Sequence, residues 1–401
     1  MPSSLNVGKT TGQNRENIRQ HNLSLVLRML HQTGTVARSQ LTSATGLNRS
    51  TISDLISELG ILGLVNESEA VLVGGVGRPS FTVSPASNVV AFAVNPEIDA
   101  TTVGVVSLDG TLLHKVRYPT HVQPNPEEAA RIASEQIQKL KEKLESGTRI
   151  AGIGAAVPGQ VRVLDGVVRF APHLGWVEAP FGPMLQQLTG LPVTVDNDAG
   201  LASMAERTYG GAKGSLNAVS LFAGSGGIGG GVIIGGNPLR GAAGYAGELG
   251  HMVISSSNNK DYSGLSGTLE AMVKRDDLLE AFKLFNATDE ELHVDIMNTS
   301  DNKAIKLLNQ QIDLLGIAIG NLANIFNPEV VILAGFLDSL FQFDQERLLK
   351  SVRASSLRSA NERLVVRSSE LGTSAALIGA AELAFGPLLS EPGNTKLHKI
   401  K

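Results

Sequence analysis

The sequence predicts an α/β protein, a winged helix-turn-helix head followed by a body in which strands alternate with helices. Three observations predict it. Apolar residues recur at helical spacing before residue 62, with a glycine break between stripes. From Val89 onward, β-branched runs are interleaved with long amphipathic patterns. The length, 401 residues, exceeds one ordinary domain.

The head is expected over residues 1–85. Leu23, Val26, Leu27 and Leu30 form the stripe of its first helix. Leu41 and Ala44 mark a second, and Gly46 breaks it. Asn48 is a suitable N-cap for a third, whose stripe is Ile52, Leu55, Ile56 and Leu59. That stripe leaves Arg49, Ser50, Thr51, Ser53 and Asp54 on the outward-facing first turn. Small hydroxyls, free backbone N–H groups and an arginine suit phosphates and base edges, so this turn is the candidate DNA-reading surface. The competing reading is a three-helix module that docks on protein. "AVLVGG" and "RPSFTV" then read as the two strands of a wing. Arg78, in "GRP", either enters a minor groove or sits in a plain Gly–Pro turn.

In the body, "VVAFAV" and "TTVGVVSLDG" predict strands, with Asp109–Gly110 as a hairpin turn. "EEAARIASEQIQKLKEKLES" predicts a long helix. "IAGIGAAVPG", "VRVLDGVVRF" and "PVTVDNDAG" read as strands, the last followed by a helix. "AVSLFAGSGGIGGGVIIGG" is two strands round a glycine-rich turn. A helix running into a buried strand follows at "NKAIKLLNQQIDLLGIAIGNLANIFNPEVVILAG", and "TSAALIGAAELAF" closes the body. Its length suggests two lobes with a cleft between them. Residues 390–401 are expected to be disordered.

Composition excludes several classes. A 42% hydrophobic fraction with 18% charge is globular. The 44 glycines are not periodic, so a collagen-like chain is excluded. There are no cysteines, hence no disulfide framework and no thiolate–metal site. No signal peptide and no run of about 18 apolar residues is read, so a cytoplasmic protein without a membrane partner is expected. The net charge is −4, yet residues 1–60 carry six basic and three acidic side chains. A basic head on an acidic body suits an anionic partner for the head.

Three places in the body are candidates for chemistry. Asn197 and Asp198, in "VDNDAG", stand at a strand end, where open α/β sheets bind ligands; they also suit an ordinary turn. "GSGGIGGG", 224–231, reads equally as a phosphate cradle and as a tight hairpin. Glu248 and His251, followed by Glu270 beyond a polar loop, could ring a ligand or simply be solvated.

The order "VPG", "PHLGW", "VDNDAG", "GGIGGGVIIGG", "RGAAGYAGELGHMVI", then Glu270, resembles the ROK family of repressors and sugar kinases. "GLNRSTIS" and "GRPS" resemble the winged-helix extension of its repressor branch. The resemblance spans about residues 15–385. It implies a two-lobed, actin-like and hexokinase-type body: 86–205 as the first lobe with helix 373–389 packed back on it, and 206–372 as the second, with a site loop at 244–270. It implies a sugar or sugar derivative in the cleft, met by Asn197, Asp198, Glu248, His251 and Glu270, with Gly159 and His173 beside them. His173 stands where the family often has asparagine. Mixed donors and acceptors of this kind match a ring of hydroxyls.

The departures from the family carry the functional expectation. The family's zinc loop runs from the histidine to three cysteines, and those positions here are Asp261, Ser263 and Thr268. Hard oxygens make a poor tetrahedral zinc site, so no zinc and no other cofactor is expected. The kinase branch's phosphate loop is replaced by "VNPEIDATT", in which Pro96 lacks an N–H and Glu97 and Asp99 add negative charge. Ser225–Gly226 and Ala334–Gly335 depart from the kinase pattern as well. Asp198 matches the kinases' general base and is expected to be vestigial, so no catalytic residue is assigned. The expected protein is a sugar-responsive repressor, a homodimer or homotetramer on operator DNA with two half-sites, and not an enzyme. The alternatives are an ATP-dependent sugar kinase with a DNA-binding head, and a DNA-binding protein whose cleft is empty or only a dimer scaffold.

Overall fold

The computed structural model describes residues 15–68, 81–120, 122–224, 226–285 and 287–400. The head holds helices Arg15–Thr33, Arg38–Thr45 and Arg49–Ile61. Each expected stripe is inside: Leu23, Val26, Leu27, Leu30, Leu41, Ile52, Leu55, Ile56 and Leu59 are all buried. Ala44 is exposed instead, because only Leu41 of that short helix faces inward. Gly46 ends the second helix in the left-handed conformation, φ 69°, which a side chain would resist. Asn48 caps the third, its side chain accepting from the Thr51 N–H at 2.8 Å.

The head's sheet differs from expectation. Its strands are Val36–Ala37, Val65–Ser68 and Thr82–Pro85, with the last in the middle. The strand expected at "AVLVGG" lies outside the described residues, as does Arg78. Pairing starts earlier because Gly63, at φ 65°, turns the chain directly after the third helix and buries Leu64 and Val65.

Among the described residues the body contains two large sheets and a small antiparallel one, in which Val167–Ala171 lies between Gln160–Arg162 and Trp176–Ala179. In the first, Val193–Asn197, Arg149–Val157 and Val89–Pro96 run parallel, and Ala100–Ser107 and Leu112–Pro119 continue it antiparallel. In the second, the order is Asn237–Pro238, Gly227–Ile234, Ala218–Gly224, Val330–Gly335 and Val365–Ser368. Helix Asp198–Tyr209 packs against both sheets, and helix Ala375–Ser390 packs against the first sheet and against Asp198–Tyr209. The long helix Asn302–Phe326 fills the core of the second sheet with Leu308, Ile312, Leu315 and Ile319.

No linker isolates the head. One apolar core runs from Leu23, Leu27 and Leu59 to Ala384, Phe385 and Leu388 of the last helix. The Ser24 hydroxyl donates to the Leu389 carbonyl at 2.6 Å, and the Arg149 guanidinium donates to the Leu62 and Gly63 carbonyls.

Two expectations are corrected. The tail is not loose: His398–Lys399 pairs antiparallel with Arg149–Ile150. One apolar segment does pass a membrane-length test, Gly372–Ser390, with mean hydropathy 1.3. Its apolar side chains Leu377, Ile378, Phe385 and Leu388 are buried inside the protein, as expected of a core helix.

Candidate ligand-binding cleft

A cleft of about 630 Å³ opens between the two sheets. Gly159, His173, Asn197, Asp198, Glu248, His251 and Glu270 all line it, although they come from segments over 100 residues apart. Phe170 and Phe222 supply apolar wall. Five carboxylates contribute, from Glu97, Asp198, Glu248, Glu270 and Asp289, and among the described residues no lysine or arginine does.

Each side chain is placed by local structure. Asn197 caps helix Asp198–Tyr209, its Oδ1 accepting from the Gly200 N–H at 2.9 Å and its Nδ2 donating to the Gly159 carbonyl at 3.0 Å. Its amide therefore spends two of its four hydrogen-bonding sites on structure and keeps one N–H and one lone pair for a ligand. Asp198 begins that helix, with Oδ1 on the Ala199 N–H. Glu270 lies on the short helix Leu269–Met272, capped by the Thr268 hydroxyl. Its Oε2 accepts from the Ile228 N–H at 2.8 Å, while Oε1 is buried with no protein partner. A side chain at Gly227 would collide with this carboxylate, so glycine there serves close packing. Gly224 pairs with Gly227 across a two-residue turn whose Ser225 lies outside the described residues.

Crowded acids raise one another's pKa. Asp198 is partly accessible by area but sits deep among protein atoms. Burial, with Glu248 and Glu97 nearby, pushes its carboxyl up to about 6 against the pull of the Ala199 N–H. Glu248, at the exposed rim, is also raised, by desolvation first and by Glu270, with His251 opposing. Burial raises Asp289 too, although Arg275 donates to it at 2.7 Å. The His173 imidazole is lowered, chiefly by burial. It packs edge-on against Tyr262 from the second sheet's loop, with ring centroids 4.4 Å apart.

The segment 94–102 is a β-hairpin rather than a loop open to phosphates. The Glu97 N–H is bonded to the Ala100 carbonyl at 2.8 Å. Its charge is less negative than the sequence suggests, because Arg117 pairs with both Glu97 and Asp99.

The positions of the family's zinc loop do not fit zinc. Asp261 Oδ2 accepts from His251 Nδ1 at 2.9 Å and from the Thr268 hydroxyl at 2.9 Å. Its Oδ1 accepts from the Ser263 hydroxyl at 2.7 Å and the Leu265 N–H at 2.9 Å. His251, Asp261 and Glu270 do bring candidate ligand atoms within 4.8 Å of one another, but Asp261 has no free lone pair for a cation. These bonds hold its carboxyl down at about 2, despite burial that would raise it.

In the head, Arg49 and Ser50 are exposed at the start of the third helix, with Thr51 and Ser53 partly so. Ser50 donates to the Asn48 cap at 2.8 Å, and Ser53 accepts a long 3.4 Å bond from Arg38. Arg38, not singled out by sequence, also pairs with Glu67 and lies over Phe81. Asp289 was missed because it reads as an ordinary helix start.

The ROK family model matches residues 94–386. The chain belongs to the ROK family. A putative xylose repressor of Caldicellulosiruptor sp. (strain Rt8B.4) is 28% identical over 396 residues, covering 94% of this chain and 98% of that protein. A glucokinase of Thermotoga maritima is 30% identical over 302 residues, covering 70% of this chain and 92% of the enzyme. Among solved structures, a ROK family transcriptional regulator described as a homologue of the E. coli MLC protein superposes with TM-score 0.76 at 23% identity, over 93% of this chain and 97% of its own. A ROK glucokinase from Streptomyces griseus, bound to glucose and AMPPNP, gives TM-score 0.65 at 25% identity over 74% and 99%. The repressor-type matches take in the head, and the kinase-type matches cover about three quarters of the chain.

Proposed function

We propose that this ROK protein is a sugar-responsive transcriptional repressor whose cleft binds an uncharged sugar and does not phosphorylate it. The observation that carries the reading is the lining of the cleft: five carboxylates, two histidines and no described cation. Such a lining repels phosphate and suits a neutral molecule that donates many hydroxyl protons. Glu270 Oε1 and the remaining lone pairs of Asp198 and Glu248 are the acceptors, and His251 and Asn197 add mixed capacity. Among the described residues no lysine or arginine lines this cleft to meet an NTP, and phosphoryl transfer depends on positioning and charge stabilisation.

A physical path joins cleft and head. Helix Asp198–Tyr209 spans about 18 Å at 1.5 Å per residue. It starts in the cleft at Asp198. It ends at Tyr209, whose hydroxyl donates to Glu382 Oε1 at 2.8 Å and lies 3.1 Å from His31 Nε2. His31 belongs to the head's first helix and pairs with Glu382 at 2.8 Å. Ligand binding that shifts this helix re-aims the head, and in a dimer or tetramer it alters the spacing of two reading helices on two half-sites. Arg49, Ser50, Thr51, Ser53 and Arg78 are the proposed DNA contacts.

The test is a retardation assay on upstream DNA with a panel of sugars, D-xylose and D-glucose included, run beside a thermal shift. Selective binding at moderate salt, released by a sugar that raises the melting temperature, is expected. Absence of selective binding sinks the proposal. The second reading, a kinase with a DNA-binding head, is favoured by Asp198, whose carboxyl near 6 suits a general base at neutral pH. It predicts ADP release with some sugar, lost in Asp198→Ala. A coupled ADP assay separates the two.

A further inference from the structure

We infer that Asp261 is the positioning residue that fixes His251 toward the ligand, by hydrogen bonds alone and without a metal. The ligand half of this inference rests on the proposed sugar cleft.

Asp261 is buried, and four donors converge on it: an imidazole, two hydroxyls and a backbone N–H. A carboxylate offers about four lone-pair sites, so the set is closed. The loop is tightened further because the Asp261 N–H donates to the Leu265 carbonyl at 2.9 Å and the Gly264 N–H to the Asp261 carbonyl at 3.1 Å. The arrangement inverts a thiolate–zinc centre: an anion sits in the middle and N–H and O–H donors surround it.

Two consequences reach the cleft. Asp261 only accepts, so the proton between it and His251 must sit on Nδ1. Nδ1 is then committed to Asp261, and Nε2 is the ring nitrogen left to meet a hydroxyl. The second consequence passes through Thr268. Its hydroxyl donates to Asp261 and accepts from the Ala271 N–H at 3.1 Å, which caps the turn that carries Glu270. One carboxylate thus sets two cleft residues on separate segments. Carboxylate partners of this kind orient functional histidines and fix their tautomer.

The experiment uses the full chain. Protein made in zinc-supplemented medium is assayed for metal, and its melting temperature is compared with and without EDTA. The His251 tautomer is read by ¹⁵N NMR. Affinity for a panel of neutral aldopentoses and aldohexoses is compared between wild type and Asp261→Asn. The expected results are no bound divalent ion, no response to EDTA and an Nδ1–H tautomer. Asp261→Asn should lose that tautomer and bind the preferred sugar about tenfold more weakly. Asp261→Glu should recover part of both. Should Asp261→Asn fail to fold, Asp261→Glu and the wild-type metal and tautomer readings decide the inference. Stoichiometric metal, an Nε2–H tautomer, or an Asp261→Asn protein with unchanged tautomer overturns the inference. The metal and tautomer readings need no ligand, so a chain that bound no sugar would end the cleft reading and leave Asp261's role decided separately.

Discussion

Helix Asp198–Tyr209 ends in two polar clusters built on opposite terms. At its start, acids accumulate: Asp198, Glu248, Glu270 and Glu97 share a cleft lined by no described cation, and of the four only Glu97 pairs with an arginine, Arg117. At its end, Tyr209, His31 and Glu382 satisfy one another, and His31 Nδ1 also donates to the Leu108 carbonyl. The first set keeps polar groups without protein partners, Glu270 Oε1 among them, which the proposed hydroxyl-bearing ligand would meet. The second is closed, and it holds the head to the body. A binding site and a structural joint can therefore be told apart by whether their polar groups are left over or paired.

Breaking the closed end should give the largest effect. Glu382→Ala leaves His31, almost wholly buried, without its counter-charge. A loss of about 3 kcal/mol in chemical denaturation is expected, with weaker DNA binding. A loss under 0.5 kcal/mol would mean that the two ends are not different in kind.

Breaking the open end should have the other sign. Asp198→Asn removes one of several mutually repelling acids, so it should leave stability unchanged or slightly higher. It should abolish the thermal shift that a sugar gives, a stabilisation of about 2.7 kcal/mol at 100 times its Kd.

pH sharpens the contrast. Asp198 is held up to about 6 from 3.8, so the folded state binds more protons between those values. Stability should fall as pH rises through roughly 4 to 6, and Asp198→Asn should flatten that slope. For His31, burial alone would lower the pKa, but Glu382 and the Leu108 carbonyl outweigh it and raise it above 6.5. Its contribution is therefore complete below 6.5 and lost as pH rises through its raised pKa. His31→Gln should remove that upper slope and leave the lower one. Urea titrations at a series of pH values measure both.

The smallest effect is expected in the head. Arg49 is exposed and has no partner among the described residues. Arg49→Ala should not change stability, but it should weaken DNA binding and reduce the salt slope by about one.

The sequence is most legible where structure is local. The stripes of the head's first and third helices, the Asn48 cap and the Asp109–Gly110 turn each lie within about a dozen residues, and each forms as read. The cleft residues were found through family motifs, since no spacing in 159–270 states that Gly159, His173 and Glu270 face one cavity. The joint was invisible. His31 reads as the basic last turn of a helix, and its partner Glu382 lies 351 positions away. The tail was misread because a two-residue strand has no period, and its pairing is with Arg149 and Ile150.

Sequence alone determined the elements, since helical periods, caps and turn residues act through contacts a few positions apart. It also determined that cysteines and the kinase pattern's phosphate-loop glycines are absent, because no arrangement of these segments brings them back. Only the tertiary structure decided which polar groups close on one another and which remain open. That choice depends on burial and on bonds between residues hundreds of positions apart. The hydrogen bonds that close on Asp261, and those that join His31 to Glu382 and Tyr209, were therefore decided by packing.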